Sequence, residues 1–211
     1  MTEEPLRIED IIITADHLES AIDWPQLFGN DNPVEIEIGA GTGTFLINAA
    51  RANPGINYLG IEWANKYYKY TADRARRWSL LNIRMLRCDA KDFIIHYVPK
   101  QSIQSLHIYF PDPWPKKRHH KRRLFSSQFV TAAVNCLLPE GQIHVVTDVK
   151  EYFQTIEPLL KQCGQLQLED FRPLETAELG EWVGTNFERK YLAEGRTIYS
   201  CSARKLINRQ R

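Results

Sequence analysis

Long apolar runs are missing from this sequence: the longest purely aliphatic stretch is Ile11-Ile12-Ile13, against roughly 20 residues for a membrane-crossing helix. The acidic start Thr2-Glu3-Glu4-Pro5 is unlike a secretory leader, which opens with positive charge. A soluble, cytoplasmic protein is expected. Paired cysteines are also missing. Cys88, Cys136, Cys163 and Cys201 lie far apart with no C-x-x-C, which argues against a zinc ribbon and a disulfide framework and leaves them as small core residues. Repeats and low-complexity segments are absent too. Nor is there an excess of charge: at +1 overall the chain is not a polycation that binds nucleic acid indiscriminately.

What is present is enough apolar residue for one core, 43% of 211 residues, so a single domain is expected. Short apolar runs alternate with amphipathic stretches, and several runs end in an acid: 34–39 (VEIEIG), 57–62 (NYLGIE), 83–89 (IRMLRCD), 103–112 (IQSLHIYFPD) and 142–148 (QIHVVTD). These read as five strands. Apolar residues at mixed three- and four-residue spacing predict helices at about 44–52, 63–79, 90–97, 123–138 and 150–163. The alternation predicts a largely parallel sheet covered on both faces. Two further runs, 166–171 and 197–203, close it as an antiparallel hairpin, giving seven strands. A short helix is expected around 14–28, with Pro25 and Gly29 marking its exit.

In such sheets a ligand sits beyond the carboxyl ends of the strands, where the strand order reverses. The first strand-to-helix turn there reads Glu37-Ile38-Gly39-Ala40-Gly41-Thr42-Gly43, with three alternate glycines that let a ligand approach the backbone. Alone this is weak, because a tight turn with no ligand has the same composition. Glu62 ends the next strand 21 positions beyond Gly41, where an acid accepts hydrogen bonds from ribose hydroxyls, as in sites for NAD or S-adenosylmethionine. Thr44 stands where a dinucleotide fingerprint has its third glycine, and Glu37 sits badly beside a diphosphate. A cationic ligand bearing an ammonium and a sulfonium suits it better. Asp89-Ala90, at the third strand end, is placed to receive an adenine edge.

The stretch Phe110-Pro111-Asp112-Pro113-Trp114-Pro115 is followed by Lys116, Lys117, Arg118, Lys121, Arg122 and Arg123 within eight residues. The two prolines fix the backbone around Asp112, so covalent geometry sets the direction of its carboxylate. Trp114 offers a face for a stacked base, and the cations offer phosphate contacts. Singly these are a turn, a core aromatic and a solvated charged face; their contiguity at a strand end is the informative part.

These residues together resemble the bacterial tRNA (guanine-N7-)-methyltransferases. The resemblance covers about residues 30–205 and rests on Glu37-Ile38-Gly39-x-Gly41-x-Gly43, Gly60-Ile61-Glu62, Asp89-Ala90, the run from Phe110 to Arg123, Thr147-Asp148 and Thr185-x-Phe187-Glu188. It implies a Rossmann-like class I S-adenosylmethionine-dependent methyltransferase fold, divided into an N-terminal extension (1–30), a cofactor-binding core (31–165) and a C-terminal hairpin with a substrate-binding segment (166–211). It further implies transfer of a methyl group to N7 of guanine 46 in the variable loop of tRNA. Glu37, Gly39, Gly41, Gly43, Glu62, Asp89, Ala90 and Asp112 would face the cofactor, with Asp112 at the reaction centre. Lys116, Asp148, Thr185, Asn186, Phe187 and Glu188 would hold the substrate, and Lys117, Arg118, Lys121, Arg122 and Arg123 the tRNA phosphates. Trp63, where a smaller residue is expected, and a short N-terminus are slight departures.

The chemistry agrees independently. Guanine N7 has an in-plane lone pair and no proton, so the enzyme must align it with the methyl group and support the migrating charge rather than supply a base. Asp112 and Asp148 can also accept from guanine N1–H and its exocyclic amine. No metal is expected: His119 and His120 lie in the basic run, and His17, His96, His107 and His144 follow no metal-ligand spacing. Thr185 and Glu188 also have capping-box spacing. The alternatives are a nicotinamide-dependent dehydrogenase, for which no catalytic His/Lys pair is apparent, and an RNA-binding protein with a degenerate cleft. A methyltransferase acting on an exocyclic amine would more usually carry an N/D-P-P-Y turn. The chain is expected to be self-sufficient, as a monomer or homodimer.

Overall fold

A computed structural model describes residues 6–14, 18 and 20–207; His17 lies outside them. One sheet runs through the molecule, built from β1 (Ile12–Ile13), β2 (Val34–Ile38), β3 (Asn57–Ile61), β4 (Ile83–Leu86), β5 (Ile103–Tyr109), β6 (Leu137–Thr147), β7 (Leu166–Glu169) and β8 (Tyr199–Lys205). Their order across the sheet is β1-β4-β3-β2-β5-β6-β8-β7. All neighbours are parallel except β6–β8 and β8–β7, so the antiparallel C-terminal closure is as expected. Among the described residues the count is eight strands rather than seven. The added edge strand pairs Ile12 with Met85 and Ile13 with Leu86, and at two residues it is too short to carry a periodic signal.

Period-two alternation decides which side chains go where. On β2, Val34, Ile36 and Ile38 enter one core cluster with Phe93, Phe129 and Tyr152, from α4 (Ala90–His96), α5 (Ser127–Cys136) and α6 (Lys150–Lys161). Glu35 and Glu37 therefore point to the opposite face. There α2 (Thr44–Ala52) and α3 (Asn65–Arg77) pack Phe45, Leu46, Ala72 and Ala75 on Tyr58, Met85 and Tyr109. The N-terminal helix α1 covers only Trp24–Phe28, and Pro25 stands in its first turn. Proline thus opens this helix, where its missing N–H costs nothing, and only Gly29, at φ 75°, closes it. Likewise α5 begins at Ser127 rather than 123, because the Ser126 side chain accepts from Phe129 N and caps it there. The segment between the last two strands carries α7 (Asn186–Ala193).

Candidate active site

The strand order reverses between β2 and β5, and the expected residues gather at the carboxyl ends on either side of that point. Beyond β2 the chain makes a turn with Gly39, Gly41 and Gly43 at φ 80°, 54° and 70°. Gly43 is the tightest: a Cβ there would lie 2.2 Å from Thr71 Cγ2, so no side chain fits. From α3, the Thr71 hydroxyl donates to the Gly41 carbonyl at 2.9 Å and Arg74 to the Thr42 carbonyl at 2.6 Å. These two residues, one helical turn apart, fix the turn, and no sequence motif had pointed to them.

Glu37 is 3% exposed, and its Oε2 is buried with no hydrogen-bond partner. Burial first, then the neighbouring Glu62 carboxylate, push its carboxyl well above the usual range. A carboxylate held in this state at the lip of an open backbone turn is matched by a cation; the residues fit the ammonium-bearing S-adenosylmethionine. Behind it, Glu35 Oε2 meets His107 Nε2 at 2.8 Å and His107 Nδ1 meets the Tyr109 hydroxyl at 2.7 Å. Burial, with Glu37 and Glu35 nearby, keeps that phenol protonated. Glu62 accepts from Gly41 N at 2.8 Å and from Ala64 N at 2.7 Å, so it braces the turn. Asp89 caps α4 by accepting from Asp92 N at 3.0 Å, with Ala90 the first helical residue.

Beyond β5, Phe110 and Trp114 adopt left-handed backbone, φ 51° and 43°, on either side of Pro111-Asp112-Pro113. Bulky residues pay for this conformation with strain of order 1–3 kcal/mol each, which only a constraining surround sustains. Phe110 N donates to Val146 O at 2.7 Å, and Arg123 Nε donates to Pro113 O at 2.8 Å. Arg123 is 8% exposed, its guanidinium 4.9 Å over the Tyr152 ring. The structure thus turns Arg123 inward to hold the turn, away from phosphate. Asp112 itself is exposed. Lys116 leads into a 3-10 turn over Lys117–Arg122, on which Lys117, Arg118, Lys121 and Arg122 face solvent. Trp114 is enclosed on two sides, with Arg122 4.9 Å over its ring and His119 edge-on at 5.9 Å.

The run 185–188, expected to hold the substrate, reaches the same place from α7. Asn186 Nδ2 donates to Thr42 Oγ1 at 2.9 Å, and the Phe187 ring lies 3.7 Å from where a Gly41 Cβ would be. Thr185 caps α7 by accepting from Glu188 N at 3.0 Å. The reciprocal half of a capping box is replaced. Glu188, fully buried, accepts instead from the backbone N–H groups of Trp182, Val183 and Gly184, so it folds the preceding loop and does not face the cleft. Asp148 is paired with Arg196, NH1 to Oδ2 at 2.6 Å. Arg196 and the Tyr191 ring beneath it were not foreseen.

A cavity of about 1250 Å³ lies elsewhere, on the sheet face beside α2, lined among others by Glu35, His107, His144, Ser202 and Arg172; none of the expected site residues borders it. His144 is stacked on His107 at 5.1 Å and donates to or accepts from Ser202 Oγ at 2.9 Å. Among the described residues no group of three or more His, Cys, Asp or Glu is placed to hold a metal, and no helix is long and apolar enough to cross a membrane.

Comparison with known proteins adds to this geometry. A methyltransferase family model, Methyltransf_4, matches residues 31–201. The tRNA (guanine-N(7)-)-methyltransferase of Geobacter metallireducens is 35% identical over 197 residues, covering 92% of each chain. That of a Geobacillus species is 37% identical over 181 residues, covering 86% of this chain and 82% of the relative. Among solved structures, the antibiotic-resistance methyltransferase Kmr superposes with a TM-score of 0.57 at 15% identity, over 90% of this chain and 97% of the other. An S-adenosylmethionine-dependent O-methyltransferase from Thermotoga maritima gives 0.54 at 16% identity, over 92% and 69%. These likenesses carry the fold alone. The family model and the sequence relatives go further: the chain belongs to the tRNA (guanine-N7-)-methyltransferase family.

Proposed function

We propose that this chain transfers the methyl group of S-adenosylmethionine to N7 of a guanine in tRNA, and that the guanine is the one at position 46 in the variable loop. The observation that carries the reading is the buried, unpartnered Glu37 Oε2 on the strand beside the one that ends in the strained Asp112 turn. The first suits a cationic cofactor; the second presents a carboxylate where the methyl would be delivered.

When bound, the cofactor supplies a methyl on a sulfonium, which passes to the N7 lone pair so that sulfur becomes neutral and the purine takes up the positive charge. Glu37 neutralises the ammonium end. Glu62, Asp89 and Ala90 line the cleft for ribose and adenine. Asp112, whose direction the two prolines and the Arg123 contact fix, aligns the base and stabilises the developing charge. Lys116, Lys117, Arg118, Lys121 and Arg122 contact the tRNA backbone. Asp148, Thr185, Asn186 and Phe187 surround the base, with Glu188 shaping the loop under them. We place this activity in the cytoplasm, in a single domain with tRNA as its partner and no obligatory protein subunit, as a monomer or homodimer.

The test is transfer of labelled methyl to tRNA transcripts carrying guanine or adenine at the variable-loop position, mapped by borohydride–aniline cleavage. Label on the guanine transcript alone, cleaved at that base, is expected. Equal label on both would move the target elsewhere, and no label with cofactor bound would refute the reading for this RNA.

A further inference from the structure

Helix α7 ends in a Schellman motif: Gly195, at φ 70°, donates to Leu192 O at 3.0 Å and Arg196 N donates to Tyr191 O at 3.0 Å. This closure places the residue after the glycine above the one five positions back. Here the side chains so superposed are Arg196 and Tyr191, with the guanidinium 4.3 Å from the ring centroid. One terminal nitrogen donates to Asp148 Oδ2 at 2.6 Å and the other to Glu194 Oε2 at 2.7 Å. The Tyr191 ring also lies 5.4 Å from Phe110 and 6.1 Å from Phe187, and burial first, then the nearby Asp148 carboxylate, raises the pKa of its phenol.

The same chemistry describes a guanine. Its N1–H, C2 and N2–H2 atoms form a planar guanidine unit whose N–H groups fit a carboxylate fork and whose face stacks on an aromatic ring, as arginine does. We propose that Arg196 is a built-in occupant of the target-base site: its guanidinium, donating to Asp148 and lying over the Tyr191 ring, stands where the guanidine edge of the target guanine goes, and base entry displaces it. The side chains are suited to exchange. Asp148 is 9% exposed, whereas Arg196 is 45% exposed and sits just past the end of α7. Released from Asp148, Arg196 keeps Glu194 as a partner. Adenine, with an acceptor at N1 and no N2 amine, can offer Asp148 only its N6 amine and not the two adjacent donors of guanine. The exchange therefore contributes to base choice, and Arg196 is a specificity-determining residue that acts through Asp148. This rests on the proposed guanine target.

The test uses the full chain with S-adenosylhomocysteine, measuring filter-binding Kd for two transcripts that differ only by guanine or adenine at the base where the wild-type product maps. Removing the occupant in Arg196→Met frees the site. From the combined size of a part-exposed ion pair and a cation–π contact, guanine-transcript affinity should rise about fivefold while adenine-transcript affinity stays put. A loss of affinity for both transcripts, an equal gain for both, or no change overturns the proposal. Arg196→Lys keeps the charge without the planar fork, so it should also favour the guanine transcript. Binding by the lysine variant identical to wild type would show that charge alone matters and overturn the mimicry; it also serves if the methionine variant fails to fold. Failure of the function itself is read earlier, as wild-type product containing no N7-methylguanine.

Discussion

Replacing Glu37 by glutamine should make the cofactor-free protein more stable and the cofactor site much weaker. In the wild type the carboxyl is 3% exposed with one oxygen unpartnered, and its folded-state pKa is raised well above 4.5 by burial and by Glu62. The sign follows from linkage: the proton is held more tightly in the folded state, so its stabilising contribution is complete below 4.5 and disappears as pH rises through the raised value. Glutamine has no such dependence. An unpartnered buried polar group costs about 1–3 kcal/mol. Because the amide retains part of that, the gain at about pH 8 should be about 1–2 kcal/mol, or about 3–6 °C in Tm for a domain of this size, shrinking toward about pH 5. With the ammonium's charged partner gone, S-adenosylmethionine affinity should fall by about 10- to 150-fold, the equivalent of about 1.5–3 kcal/mol. Thermal scans with and without cofactor at the two pH values, with calorimetric titration, read both effects. A variant that is less stable at the higher pH, or that binds cofactor within about threefold of wild type, would refute the reasoning.

Asp112→Asn should leave Tm unchanged, since Asp112 is exposed, and lower the single-turnover methyl-transfer rate by about 10²–10³ if its charge supports the reaction centre; near-normal turnover would sink that role. Arg123→Ala should cost about 1–3 kcal/mol in urea unfolding by stripping the Pro113 carbonyl of its donor. Lys121→Ala should instead leave stability alone and reduce the salt slope of tRNA binding by about one. Equal behaviour of these two variants would contradict the inward placement of Arg123. His144, whose pKa burial and then His107 push down to about 3, is neutral in the folded state near pH 7. It takes up a proton on unfolding once pH falls below its ordinary 6.5, so wild type should lose up to about 1.4 kcal/mol per pH unit below that point. His144→Gln should flatten this slope, as acid titration of Tm would register; an unchanged slope would be the contrary result.

The parallel core was readable because the central strands are short runs, mostly apolar, with an acid in them or at their ends, and the acids fell together once the strands were set side by side. Other features were not readable. A two-residue strand such as Ile12–Ile13 has no period to detect. The basic run reads as six equivalent cations, and only packing separates Arg123, folded under Pro113 over Tyr152, from its exposed neighbours. Glu188 has the spacing of a capping box, yet the glycine-bearing loop ahead of it offered three N–H groups, a local competition that spacing alone does not resolve. Arg196 left one sequence trace: it follows Gly195 at the end of an amphipathic segment, the position a Schellman closure turns back over Tyr191.

The strained turn around Asp112 has a geometric consequence. Its backbone is pinned at Phe110 and Pro113, and it runs without a glycine into the 3-10 turn that bears the cations. The exposed cations and the carboxylate thus sit on one continuous segment held at both ends of the turn, rather than on two parts joined by a glycine tether. Such a piece behaves as a ruler. With the cations on the tRNA backbone as proposed above, the bases presented to the carboxylate would be those a set distance along the folded RNA, so the address of the target guanine would be read as a length in the tRNA's shape rather than spelled out by neighbouring bases.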